Sequence, residues 1–187
     1  MMKRHLMIMI ALVLLISVSA GYPVLAEGFP AGQWAFSSDP GTMILQLNED
    51  GTAWYHDTAY TWEDDGRFIL LTGTDDEPIY LRYLVTEEHL WLYVAAGYTR
   101  KEGTAGDGIV GVWDMDGAEN SFFEFTDNGR FLEDGVFDGK YQVDEENGSF
   151  ILIYTKFFSD TVCYFRQEGE HMTLEYPWNV TELQTDP

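Results

Sequence analysis

The side chains with the widest chemical scope in this sequence are its acids. The 187-residue chain carries 32 Asp plus Glu against 10 Lys plus Arg, a formal charge of −22. Paired carboxylates could serve as the acid and base of a glycosidase. The pairs here, Asp64-Asp65, Asp75-Asp76-Glu77 and Glu145-Glu146, sit in turn-forming sequence, where a solvated loop is the expectation. Asp114-x-Asp116-Gly117-x-Glu119 superficially resembles a calcium loop. It lacks the third ligand before the glycine and the bidentate glutamate at the twelfth place. No metal site is assigned on that pattern.

His89 and His171 each follow a turn at equivalent places in the chain, which marks them as fixtures of the fold rather than metal ligands. The lone cysteine, Cys163, lies in an apolar run and reads as a buried, inert thiol. It can form neither an intramolecular disulfide nor a Cys-based zinc site. The sequence contains no Gly-x-Ser-x-Gly, His-Glu-x-x-His or phosphate loop, and no cofactor is implied. Asn147-Gly148-Ser149 and Asn179-Val180-Thr181 are glycosylation sequons.

The aromatic residues offer a better candidate. If Glu87-Glu88 is a two-residue hairpin turn, Leu84 pairs with Trp91, Arg82 with Tyr93 and Tyr83 with Leu92. Alternation then directs Leu81, Tyr83, Val85, Leu90, Leu92 and Val94 to the core. The outer face carries Tyr80, Arg82, Leu84, Trp91 and Tyr93. Tyr80, Arg82, Trp91 and Tyr93 are the candidate ligand-binding residues. Flat aromatic rings beside a guanidinium can stack on sugar rings or dock a protein. The corresponding outer face later in the chain, Val162, Tyr164, Arg166, Thr173 and Glu175, is more polar. The competing reading packs the aromatic face against the other half of the molecule.

These residues need a frame to hold them. The chain is 45% hydrophobic and 16% aromatic, too apolar for a disordered acidic tail. Its negative charge disfavours nucleic acid and anionic membrane surfaces. Lys3 and Arg4 precede an apolar run from Leu6 to Val18, and cleavage signals follow at Ala26 or Ala20. That is the layout of a secretory signal peptide over residues 1–26, with an uncleaved membrane anchor as the alternative. Secretion is the expected location, with no membrane contact after cleavage.

The remainder is written twice. Gly32-Gln33-Trp34 matches Gly111-Val112-Trp113. Leu45 to Thr52 matches Phe123 to Arg130, and Tyr60 matches Tyr141. Gly66 to Leu71 matches Gly148 to Ile153, and Glu88 to Leu92 matches Glu170 to Leu174. The expected units are 27–94 and 109–180, with a glycine-rich linker at 95–108 and a polar tail at 181–187. Short alternating runs and Asp-Gly or Asn-Gly turns predict six or seven antiparallel strands per copy. A twisted meander of that kind buries one face and can close on itself.

A Gly-x-Trp opening, a strand ending in Asp-Gly or Asn-Gly, a Gly-led apolar strand and a closing Leu-x-Leu hairpin resemble the lipocalin-like (calycin-like) domains repeated in secreted bacterial proteins. The resemblance implies an all-β fold of two tandem small β-barrels that touch each other. It implies Trp34 and Trp113 as barrel-end plugs, and no particular activity. The leading functional expectation is a non-catalytic binding module for an extracellular glycan or protein. The alternatives are a structural or accessory domain and, last, a hydrolase using loop acids such as Asp75 or Asp76.

Overall fold

A computed structural model describes residues 28–183, apart from 75, 76, 87 and 157. The expected signal peptide, Asp75, Asp76 and the last four residues lie outside the described residues. Seven strands precede residue 103: β1 (Gly32–Phe36), β2 (Met43–Leu47), β3 (Thr52–Tyr55), β4 (Thr58–Asp64), β5 (Phe68–Thr72), β6 (Ile79–Val85) and β7 (Leu90–Glu102). Seven follow: β8 (Gly111–Met115), β9 (Phe122–Phe125), β10 (Arg130–Glu133), β11 (Phe137–Asp144), β12 (Ser149–Tyr154), β13 (Thr161–Glu168) and β14 (His171–Glu182). The described residues contain no α-helix, only a three-residue 3₁₀ turn at Ala105–Asp107.

The turns form where the sequence predicts them. Gly51, Gly66, Gly129 and Gly148 all adopt positive φ between strands. The Asn48–Thr52 turn and the Thr126–Arg130 turn have the same backbone bonds. In each, the first residue's N–H donates to the last carbonyl, and the glycine N–H donates back to the first carbonyl. Two further turns also use positive φ, one of them at an Asp-Gly pair and the other with no such signal. His56 and Asp57 both take positive φ between β3 and β4, a two-residue turn built without glycine. Asp134 and Gly135 both take positive φ between β10 and β11, at an ordinary Asp-Gly turn.

All fourteen strands pair antiparallel in one closed ring, with β1 joined to β14. A further pairing crosses the ring. β7 and β14 run antiparallel for ten residue pairs, from Thr99↔His171 to Leu90↔Val180. The first part of β7 also pairs with β6 and its last part with β8. Likewise β14 pairs first with β13 and then with β1. Between its two flanking partners, β14 holds Pro177, which cannot donate to a neighbouring strand.

Two buried clusters lie on either side of this crossing. One contains Trp34, Leu45, Leu47, Ile69, Leu71, Leu81, Tyr83 and Leu92, together with Val180 from the far end of the chain. The other contains Trp113, Phe125, Phe150, Leu152, Cys163, Met172 and Leu174, together with Tyr98 from β7. Each tryptophan donates its Nε1–H to the carbonyl four residues before it: Trp34 to Pro30 at 3.3 Å and Trp113 to Ile109 at 2.8 Å.

Three expectations need correction. The linker predicted at 95–108 is strand through Glu102. Alanine and glycine have weak strand propensity, but the long pairing with β14 overrides it. Gly97 also leaves room for the Asp116 carboxylate, which occupies the space a Cβ would fill. Thr181 and Glu182, predicted to lie in a polar tail, belong to β14 and pair with Ala35 and Trp34.

The third correction concerns the register in which the two halves of the sequence are matched by letter. The fully enclosed residues of β5 are Ile69 and Leu71, and those of β12 are Phe150 and Leu152. Matching Phe68 to Phe150 is therefore one residue out of step, and a one-residue slip exchanges the two faces of a strand. Tyr60 is matched to Tyr141 by letter, but it is Trp62 whose hydrogen bonds are like those of Tyr141. Trp62 donates its N–H to Gly51 and its ring N–H to Asn48. Tyr141 donates its N–H to Gly129 and its hydroxyl to Thr126.

A Cβ on Gly139 would overlap the Ile153 carbonyl oxygen and lie 2.7 Å from Phe131 Cε1. Both are held by the sheet and cannot yield cheaply. Gly139→Ala is therefore expected to cost about 2 kcal/mol. Gly106→Ala, where the nearest atom is 3.9 Å away, should stay within about 0.5 kcal/mol. Urea melts of the two variants measure the difference.

Candidate functional site

The hairpin between β6 and β7 has the predicted register: Tyr83↔Leu92, Leu84↔Trp91 and Val85↔Leu90. Thr86 and His89 close it with a backbone bond of 2.9 Å. Leu81, Tyr83 and Leu92 are buried as expected. The outward face is divided among different surroundings. Arg82 reaches across to β14, where its Nε donates to Glu175 Oε2 at 2.7 Å. Its guanidinium lies 3.7 Å from the Tyr164 ring centre and 4.6 Å from that of Phe68. Tyr93 is buried and meets Tyr164 edge to face at 5.4 Å. Burial, with Tyr164 close by, pushes its hydroxyl pKa well up.

Arg82 and Tyr93 are therefore committed to a contact between β6–β7 and β13–β14. The more polar outer face of the second half serves as their partner. Tyr80 remains 62% exposed, resting edge-on against Phe68. Trp91 is half-buried beside His89, with ring centres 5.8 Å apart. The structure thus joins two of the four predicted residues and leaves the other two at separate places.

A second group of aromatics emerges only in three dimensions. On β14, Tyr176 and Trp178 share the face that points toward the two cores, but they lie between the two buried clusters. Trp178 is 44% exposed. It contacts Phe36 at 5.5 Å and Tyr176 at 5.8 Å. The Tyr176 hydroxyl lies 3.1 Å from that of Tyr154, and Tyr154 donates to Glu133 Oε2 at 2.6 Å. Phe158, also about half exposed, packs on Tyr154 and Phe137 at 5.0 Å each.

The row runs from Phe36 to Phe137 and spans both halves. Burial raises the Glu133 pKa and Asp134 adds to the rise, although the Tyr154 hydrogen bond opposes it. Burial likewise pushes Tyr176 up to about 12. A strand reading of Tyr176-Pro177-Trp178 would place both rings on one face. No local pattern points to Glu133, which looks like another turn acid before Asp134-Gly135.

The remaining chemical candidates have structural employment. Asp64, read as a loop acid, accepts from Phe29 N–H at 2.7 Å, Tyr83 OH at 2.7 Å and Gly66 N–H at 2.7 Å. Arg100 is buried 4.1 Å from the Trp113 ring centre and donates to the carbonyls of Gly108 and Val110. Its Nε lies 2.8 Å from Glu170, close enough for an ion pair but without a directed hydrogen bond. Cys163 is fully buried, and desolvation holds its thiol protonated.

Asp116 accepts from Thr99, and Asp114 pairs with Lys101. Among the described residues no three His, Cys, Asp or Glu side chains are grouped to hold a metal. Shallow surface clefts lie elsewhere among the described residues. One of about 450 Å³ is lined by Lys101, Asp114, Glu119 and Asp134, and one of about 380 Å³ by Trp34, Glu88, His89 and Glu182.

No known protein family, curated protein or solved structure matches the chain.

Three outcomes follow from this geometry. Arg82→Ala should lower stability by about 2 kcal/mol, because it removes a charged hydrogen bond and two cation–π contacts. Tyr80→Ala should change it by less than about 0.5 kcal/mol. Glu133 titrates higher in the fold than its ordinary 4.5, so folding favours its protonated form. That contribution is complete below the unfolded value and is lost as pH rises through the folded one. Relative to Glu133→Gln, the natural protein should lose stability as pH rises from the ordinary carboxylate value through the higher folded one. Denaturant melts across that range show the slope, and parallel curves would refute it.

Proposed function

We propose that the protein is a secreted, non-catalytic binding module for an extracellular glycan. In this reading residues 1–26 direct export and are removed. The two buried clusters are two tandem lipocalin-like β-barrels fused through β7 and β14. The alike settings of Trp34 and Trp113 support this tandem arrangement, as do the matching turns at Gly51 and Gly129.

The half-exposed Trp178 in its row with Phe36 and Tyr176 carries the functional reading. An indole face kept from full burial, and braced by two rings, offers a flat platform for a sugar ring. Trp91 and Tyr80 remain accessible for secondary contacts. Arg82 and Tyr93 would shape the module without touching the glycan. Among the described residues no helix is long and apolar enough to cross a membrane.

A structural or accessory role is the second reading. It is favoured by the Arg82–Glu175–Tyr164 contact, which uses much of the predicted binding face internally.

The test is affinity electrophoresis of the mature chain against a panel of soluble polysaccharides. At least one polysaccharide should retard the protein. Trp178→Ala should weaken that retardation at least about tenfold, a loss of about 1.4 kcal/mol or more. The same change should cost no more than about 1.5 kcal/mol of stability, because nearly half the ring is already in water. A chain retarded by none of the panel, or retarded equally after the substitution, would support the structural role instead.

A further inference from the structure

Glu133 sits at the end of β10, more than half withdrawn from solvent, with Tyr154 donating to its carboxylate. Its sequence neighbour Asp134 adds negative charge. The described ion pairs use Arg82, Arg100, Lys101, Arg130 and Arg166, and each of these pairs with another acid. Glu133 is thus a desolvated carboxyl with aromatic neighbours and no described counter-ion. Tyr154 donates to it, Phe137 is its cross-strand partner on β11, and Tyr176 and Phe158 lie against Tyr154. Phe158 lies on the connection between β12 and β13 with about half its surface in water.

We propose that Glu133 and these four rings form a binding site for a small quaternary ammonium ion. The chemistry selects that class of cation. Calcium requires six to eight oxygen ligands, and sodium and primary ammonium ions hold their water tightly. Aromatic faces supply neither oxygens nor a substitute for that water. A trimethylammonium group is weakly hydrated and is attracted both to ring faces and to a carboxylate. The net charge of the chain concentrates cations near its surface.

One site per chain is expected. Glu133 stands opposite Phe123 in β9, and the matching place in the first half, opposite Leu45, is Tyr55. The first half therefore has no carboxylate at that position. The site shares Tyr176 with the glycan platform at Trp178, but its carboxylate, Glu133, is no part of that platform.

Calorimetric titration of the mature chain with choline and with its neutral isostere 3,3-dimethyl-1-butanol tests the proposal. Choline should bind one to one and at least tenfold more tightly than the isostere. Glu133→Gln should remove at least tenfold of the choline affinity and leave that for the isostere unchanged. Two arms separate a free ligand from a headgroup, namely choline in solution and sedimentation with phosphatidylcholine vesicles. Glu133-dependent binding in either arm supports the site. The proposal fails if neither form binds, if choline and the isostere bind the natural chain equally, or if folded Glu133→Gln keeps full choline affinity. The comparison of the two ligands on the natural chain requires no variant to fold.

Discussion

Everything in this molecule depends on two strands that each belong to both halves. β7 and β14 lie side by side for ten residue pairs. Each is then flanked by one half's strands near one end and the other half's near the other end. The same ribbon supplies Leu92 and Val180 to one core and Tyr98, Met172 and Leu174 to the other. A half cut away from its sibling would lose a wall and expose a row of unpaired backbone groups. Closure of the ring and burial of both cores are thus one event in physical terms.

The shared ribbon also explains the surface features. Where β14 passes from one set of neighbours to the other, its flank is released from strand pairing. Pro177 is tolerated there, and Tyr176 and Trp178 escape full enclosure by either core. On the opposite face, side chains from β6, β7, β13 and β14 meet, and Arg82 finds both an acid and two rings. An aromatic row on one side and a locked charged contact on the other are consequences of one topological choice.

Much of this was legible in the residues. The turn glycines, the core faces of β6 and β7 and the hairpin register between them follow from local rules of backbone freedom and alternation. So does the expectation of six or seven strands on either side of a glycine-bearing connection, where the structure has seven. What stayed hidden depends on distant partners. Ala95 to Glu102 has the composition of a loop and becomes strand because β14 pairs with it. His56-Asp57 turns without glycine because β3 and β4 already hold the ends together. The β5 and β12 sequences align by letter one residue away from where they align by face. Glu133 looked like a turn acid because nothing nearby in sequence announces Tyr154 or Tyr176. Asp64 likewise looked solvated, although Phe29 and Tyr83 bind it from far along the chain.

Native-state hydrogen exchange tests the shared-ribbon account most directly. Backbone amides of Leu45, Leu47, Ile69 and Leu71 report on one core, and those of Phe125, Phe150, Leu152 and Leu174 on the other. Under one cooperative unit, the slowest amides of both sets exchange through openings of the same free energy, with the same dependence on denaturant. If one set exchanges through a distinctly cheaper opening while the other stays protected, the halves are separable and the account is wrong.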